Sequence, residues 1–188
     1  DVNANALLVR VGALYHDIGK MNNPLYFSEN QSSNYNPHHE LDPFESSRLI
    51  LNHVTEGIEI AKRNNLPDRV IDFIRTHHGT SPTHYFYHKA KKEDENIDKA
   101  LFSYPGPKPY SKETAILMMA DSVEAASKSL QEPTPEGIAN FVEKIIEEQA
   151  EENQFAEADI SLREIERIKK VLVDKLINAH HLREVYPE

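Results

Sequence analysis

The chain contains no cysteine, which excludes disulfides, Fe–S clusters and thiolate zinc sites. No run approaches the ~18–20 consecutive apolar residues of a membrane-spanning helix. Basic residues are in deficit, 21 Lys and Arg against 31 Asp and Glu, for a formal net charge of −10. That balance argues against a protein that wraps duplex nucleic acid non-specifically, because no surplus is left to neutralise phosphates. A nucleotide substrate is not excluded, since bound metal reverses the local sign of charge. Gly-rich phosphate loops, internal repeats and useful period-2 alternation are also missing. What remains is 188 residues, 39% apolar and 28% charged, the make-up of one globular domain. Ten histidines stand out against the absent thiols.

The punctuation of the chain is helical. Apolar residues at Leu7, Val11, Leu14 and Ile18 predict a buried first helix, with Gly19 as the residue that closes it. Residues 21–43 read as a long loop. Asp42 caps and Pro43 opens a helix to about Arg63, with Leu49, Ile50, His53, Val54, Gly57, Ile60 and Ala61 on one face. Pro67 opens the next helix, striped by Val70, Phe73, Ile74 and His77, and Gly79 ends it. Residues 80–110 predict an irregular excursion with room for one short helix. Ser111 then caps a helix to about Ser129, and Thr134-Pro135 starts one reaching about Glu152. Ser161-Leu162-Arg163-Glu164 is a capping box ahead of Ile165, Ile168, Leu172 and Leu176. The fold class is all-α.

Several of these positions do not suit a purely structural role. Asp121 sits mid-helix on the face of Thr114, Leu117 and Met118, where an ionised carboxylate costs several kcal/mol unless it is compensated. On its own it reads equally as a metal ligand and as one end of a buried salt bridge. His16-Asp17 ends the first apolar helix, where adjacent side chains about 100° apart can serve one cluster. His53 shares the face of Ile50 and Val54, and His77-His78 follow Phe73-Ile74. One such histidine is usually a core residue bonded to a carbonyl. Four of them with two such carboxylates predict a buried cluster satisfied by divalent metal, of a donor set suited to Mn²⁺, Fe or Zn²⁺. His38-His39, His84, His88 and His180-His181 read first as surface or supporting residues. Tyr104-Pro105-Gly106-Pro107-Lys108-Pro109 is a rigid loop that serves equally as substrate-side wall or connector.

Together, His16-Asp17-Ile18-Gly19-Lys20, His53, His77-His78-Gly79-Thr80 and Ala120-Asp121-Ser122 resemble the HD superfamily of metal-dependent phosphohydrolases. Glu29-Asn30-Gln31, Asn36-Pro37-His38, Tyr85-Phe86-Tyr87-His88-Lys89, Tyr104 to Pro109 and Tyr186-Pro187-Glu188 extend the likeness over most of the chain. More closely, the order resembles the cytoplasmic HD domain of the bacterial seven-transmembrane HD receptors. The resemblance implies an HD-type helical bundle over 1–188, a fragment of a longer membrane protein. It implies two divalent ions, Mn or Fe, held by His16, Asp17, His53, His77, His78 and Asp121, with Asp17 bridging. A further family histidine on the preceding helix has no counterpart in residues 1–15, so it is expected upstream. The implied reaction is two-metal hydrolysis of cyclic di-AMP to pApA, in which Asp17 and Lys20 are catalytic. Lys20 steadies a phosphate oxygen, and Lys20, His84, His88, Lys89 and Lys108 are the candidate substrate contacts. The chain lacks the GYP-type signature of the related cyclic di-GMP enzymes, although spacing alone does not choose adenine.

Two alternatives keep the fold: another nucleotide phosphohydrolase of the superfamily, including a hydrolase of guanosine tetraphosphate, or a receptor module that binds cyclic nucleotide without turnover. A hemerythrin-type oxygen carrier wants Glu four residues after a ligand His, and Ser81 follows His77 at that spacing.

Overall fold

The computed structural model describes residues 2–31, 35–131 and 133–181, with side chains of His180 and His181 outside the description. Among the described residues there are α-helices and short 3₁₀ turns, and one isolated bridge between Pro82 and Ser103. The residues expected to make one domain group into two compact units, Arg10–Lys108 and Asp1–Val9 with Pro109–Glu188. The division falls inside the first helix, α1, Ala6–Tyr15.

The unit from Pro109 onward holds α5, Lys112–Ser127, α6, Pro135–Glu151, and α7, Leu162–His181. Its caps are those the sequence announces. Ser111 accepts from the Thr114 amide, Thr134 from Gly137, and Glu164 reaches back 2.9 Å to the Ser161 amide. Each such cap is worth about 1 kcal/mol. Ala115, Met119, Val142 and Ile146 are fully buried between the three helices, with Val123, Ile138, Ile165 and Ile168 around them. This interior is mostly apolar, with Thr114, Gln149 and Gln154 buried in it. A buried lysine, Lys169, is neutralised at 2.7 Å by Glu143 and 2.8 Å by Glu166.

The unit from Arg10 to Lys108 contains α2, Pro43–Arg63, α3, Asp68–Thr76, and α4, His84–Lys91. Asp42 caps α2 by accepting from the Glu45 amide, as its place before Pro43 predicts. Gly79 ends the turn after α3 in the left-handed conformation, φ 51°. One apolar cluster here gathers Ala61, Ile71 and Ile74, flanked by Ile18, Ile58 and Leu66, and Val54, Phe73 and Phe102 are buried as well.

Two expectations for the N-terminal stretch are overturned. Helix α1 stops at Tyr15, and residues 18–30 form three 3₁₀ turns, Ile18–Asn22, Pro24–Tyr26 and Ser28–Asn30. Gly19 therefore closes no helix. A Cβ on it would lie 1.8 Å from the His53 carbonyl oxygen and 2.6 Å from the Gly57 nitrogen, so glycine is what lets this turn lie directly on α2. Nor is α1 buried along its apolar stripe, since Leu7 and Leu14 are 71% and 73% exposed. The helix packs by its glycine instead: a Cβ on Gly12 would meet the Phe73 ring at 2.4 Å. The periodicity located the helix but not the face it buries, because a glycine contributes nothing to an apolar stripe.

Candidate metal centre

The same contacts deliver the chemical side chains. One turn beyond Gly12 and Phe73 stand His16 and His77, whose rings meet edge to face at 5.0 Å. One turn before Gly57 stands His53, Nε2 of which lies 3.1 Å from Nε2 of His77. Asp17 precedes the turn Ile18–Asn22 and points its carboxylate among them. Its Oδ1 is 3.4 Å from His53 Nε2 and 3.5 Å from His77 Nε2, and its Oδ2 is 3.2 Å from His16 Nε2. His78 completes the group: Asp17, His53, His77 and His78 can each place a donor atom within 4.8 Å of all the others. His53 and His77 are fully buried, and Asp17 and His78 are half-buried.

Three of the rings are anchored in the same way. Nδ1 of His16, His53 and His77 lies 2.9, 2.6 and 2.8 Å from the carbonyl three residues earlier, of Ala13, Ile50 and Ile74. Those carbonyls select the tautomer protonated at Nδ1, which turns the Nε2 lone pair toward Asp17. His78 is held by an aromatic face, its ring stacked at 4.2 Å on buried Tyr104.

Electrostatics then pose a problem that a cation solves. Asp17 Oδ1 is buried with no hydrogen-bond partner. With Nδ1 committed to backbone, an Nε2 proton for Asp17 exists only in the imidazolium form. Burial pushes the Asp17 carboxyl up, but His16, His53 and His77 outweigh it and hold it well below the usual carboxylate range. Burial, with His77 and His53 alongside, pushes the His78 imidazole well below its ordinary value, toward the neutral form that binds metal. Carboxylate oxygens and neutral imidazoles without thiolate are a donor set for a divalent ion. The residues present fit one.

Lys20 sits at the rim, its Nζ 2.7 Å from Asp17 Oδ2 and 2.5 Å from Glu29 Oε1. Burial lowers its pKa, and the two carboxylates raise it by more, so it stays an ammonium. Asp121 lies on α5 in the other unit, half-buried beside buried Met118. The remaining candidates stay outside the cluster. His84, His88 and Lys89 are exposed on α4, the two rings 6.3 Å apart on one side of that helix, and Lys108 is half-buried in the proline-rich loop. His38 is not a surface residue: it is buried, with Nε2 2.9 Å from the Tyr26 carbonyl and its ring against Phe86. Sequence reasoning missed Glu29 and Phe27. The Glu29-Asn30-Gln31 stretch drew notice only as likeness, and nothing local says that Glu29 meets Lys20.

Residues 1–126 match the HD domain, a span that includes all six candidate ligands. Over its whole length the chain is 45% identical to two proteins named cyclic-di-AMP phosphodiesterase PgpH, from Bacillus subtilis and Listeria monocytogenes. It spans 26% of the length of each. An uncharacterized protein of Synechocystis is 41% identical over 194 aligned residues. Among solved structures, the HD domain of L. monocytogenes PgpH in complex with cyclic-di-AMP superposes with a TM-score of 0.93, covering 95% of this chain and 83% of that one. The same domain described without the nucleotide gives 0.91. With the family match, the whole-chain identity and the helical fold in agreement, this chain belongs to the HD domain family.

Proposed function

We propose that the chain is the catalytic HD domain of a cyclic di-AMP phosphodiesterase, which opens one phosphodiester of the cyclic dinucleotide to give linear pApA. The observation that carries this reading is the cluster itself: backbone-anchored imidazoles turned toward an orphaned Asp17 oxygen, in a chain 45% identical throughout to proteins named for that activity. His16, Asp17, His53, His77, His78 and Asp121 would hold two divalent ions, Mn or Fe, with Asp17 serving both. Bound there, such ions supply charge for phosphoryl oxygens and an activated water for in-line attack.

The chain's own residues do the rest. The carbonyls of Ala13, Ile50 and Ile74 fix the imidazoles so that no reorientation is needed as charge develops. The Lys20 ammonium, half-buried beside Asp17, would steady a non-bridging phosphate oxygen. His84, His88, Lys89 and Lys108 would make outer contacts to the substrate. The domain is read as part of a longer membrane-embedded protein, on its cytoplasmic side; among the described residues no helix is long and apolar enough to cross a membrane.

The test is a panel of cyclic di-AMP, cyclic di-GMP, guanosine tetraphosphate and mononucleotides, each offered with excess Mn²⁺. Cyclic di-AMP should be converted to pApA faster than any other member is cleaved. A Mn²⁺-loaded protein that binds cyclic di-AMP without cleaving it would be a receptor module, and preferential turnover of another nucleotide would reassign the substrate.

A further inference from the structure

Among the 3₁₀ turns that follow α1, one acidic side chain comes back to the cluster without touching the imidazoles. Glu29 stands on the turn Ser28–Asn30, twelve residues after Asp17, and its Oε1 lies 2.5 Å from Lys20 Nζ. The same ammonium lies 2.7 Å from Asp17 Oδ2 and 5.1 Å from the centre of the Phe27 ring. Lys20 is therefore held from three sides: by the carboxylate it serves, by a second carboxylate and by an aromatic face. A lysine stem has four rotatable bonds and costs nearly 2 kcal/mol to immobilise. Left to Asp17 alone, it would sample many positions.

The arrangement also divides the two oxygens of Asp17. Oδ2 faces Lys20 and His16, whereas Oδ1 faces His53 and His77 and has no hydrogen-bond partner. The carboxylate is oriented by what grips Oδ2, and that grip is fixed in turn by Glu29. Glu29 also balances the ammonium charge, so Lys20 can donate to Asp17 without adding uncompensated positive charge where a cation would bind.

We propose that Glu29 is a positioning residue: it fixes Lys20 on Asp17 Oδ2 and thereby keeps Oδ1 turned to the imidazole cluster, ready for a metal ion. The proposal rests on the metal-binding half of the function proposed above and not on its substrate.

The test is Mn²⁺ binding by calorimetry to the folded chain, without nucleotide, for the wild type, Glu29→Gln, Glu29→Asp, Lys20→Met and the double variant Glu29→Gln/Lys20→Met. Glu29 is on the surface side of the pair, its side chain 35% exposed, so these variants should keep wild-type helicity. Glu29→Gln should weaken Mn²⁺ binding about tenfold, as outer-sphere partners of metal ligands do. Glu29→Asp keeps the charge but falls one methylene short, and should bind as weakly as the glutamine. In the Lys20→Met background Glu29→Gln should change affinity by less than about twofold, the mark of two residues acting as one unit. Wild-type affinity in Glu29→Gln would overturn the proposal. So would full rescue by aspartate, which would make the role one of charge alone, or an undiminished effect without Lys20. If no variant, wild type included, binds Mn²⁺, the metal reading fails first; if Mn²⁺ binds as described but cyclic di-AMP is not cleaved, only the substrate assignment falls.

Discussion

The two units of this chain differ in what they bury beside their apolar residues. From Pro109 onward the interior is mostly apolar: Ala115, Met119, Val142 and Ile146 are fully buried, Thr114, Gln149 and Gln154 are buried polar groups, and buried Lys169 is neutralised by two glutamates. Between Arg10 and Lys108 the buried apolar residues, Phe27, Val54, Phe73, Ile74 and Phe102 among them, share the interior with chemistry-bearing side chains. There, fully buried His53 and His77 occupy space that hydrophobes would otherwise fill. Elements approach closely at glycines, Gly12 on the Phe73 ring, Gly19 on the backbone of α2 and Gly57 on Ile74. Both units gain stability from apolar area removed from water. The unit from Arg10 to Lys108 also gives interior volume to imidazoles that are costly to bury in charged form unless something neutralises them.

The comparison can be broken first where charge matters most. Asp17→Ala removes the carboxylate that faces His16, His53 and His77. Hydrolysis should fall about a thousandfold or more, roughly 4 kcal/mol, with Mn²⁺ content falling alongside and helicity retained. Metal analysis, turnover and circular dichroism on one preparation check all three, and near-normal turnover would refute the assignment.

Volume should matter most in the other unit. Ile146→Ala opens a cavity at a fully buried site and should cost about 3 kcal/mol in urea denaturation. It removes no donor from the imidazole cluster, so Mn²⁺ affinity of the folded protein should move by no more than about twofold. A collapse of metal affinity in this variant would erase the contrast between the units.

The smallest effect concerns surface charge. The pKa of Glu164 is held at about 2, against an ordinary 4.5, by Lys112 at 2.5 Å and by the Ser161 amide and hydroxyl. A carboxyl with a depressed folded pKa contributes stability that is complete above its unfolded pKa and is lost as pH falls through the folded one. That contribution should disappear between pH about 4.5 and about 2. Melting curves of Glu164→Gln across that window should show a flatter pH dependence than wild type. Because the pair is at the surface, the shift should be slight, and unchanged curves would show that the capping geometry, not the charge, matters there.

Much of this was legible because it is local. A cap side chain bonds an amide two or three residues on, so Asp42, Ser111, Thr134 and Ser161 mark helix starts in the sequence as they do in the structure. The Nδ1 anchors are local too, each to a carbonyl three residues back. The end of α1 and the turns after it were not legible. Their i→i+3 bonds follow no apolar period, and the reason for Gly19 is a carbonyl 34 residues away.

The sequence by itself determined that the protein is helical, where most helices begin, and which histidines and aspartates are out of place for a plain core. These follow from backbone bonding and residue chemistry, whose range is a few positions along the chain. Tertiary structure alone decided that Gly12 and Phe73 bring His16 to His77, and that Gly19 and Gly57 set Asp17 beside His53. It also decided that Glu29, unremarkable in its own stretch, closes on Lys20. Such meetings depend on which surfaces can approach most closely, and close approach is a property of pairs of elements that no single element encodes.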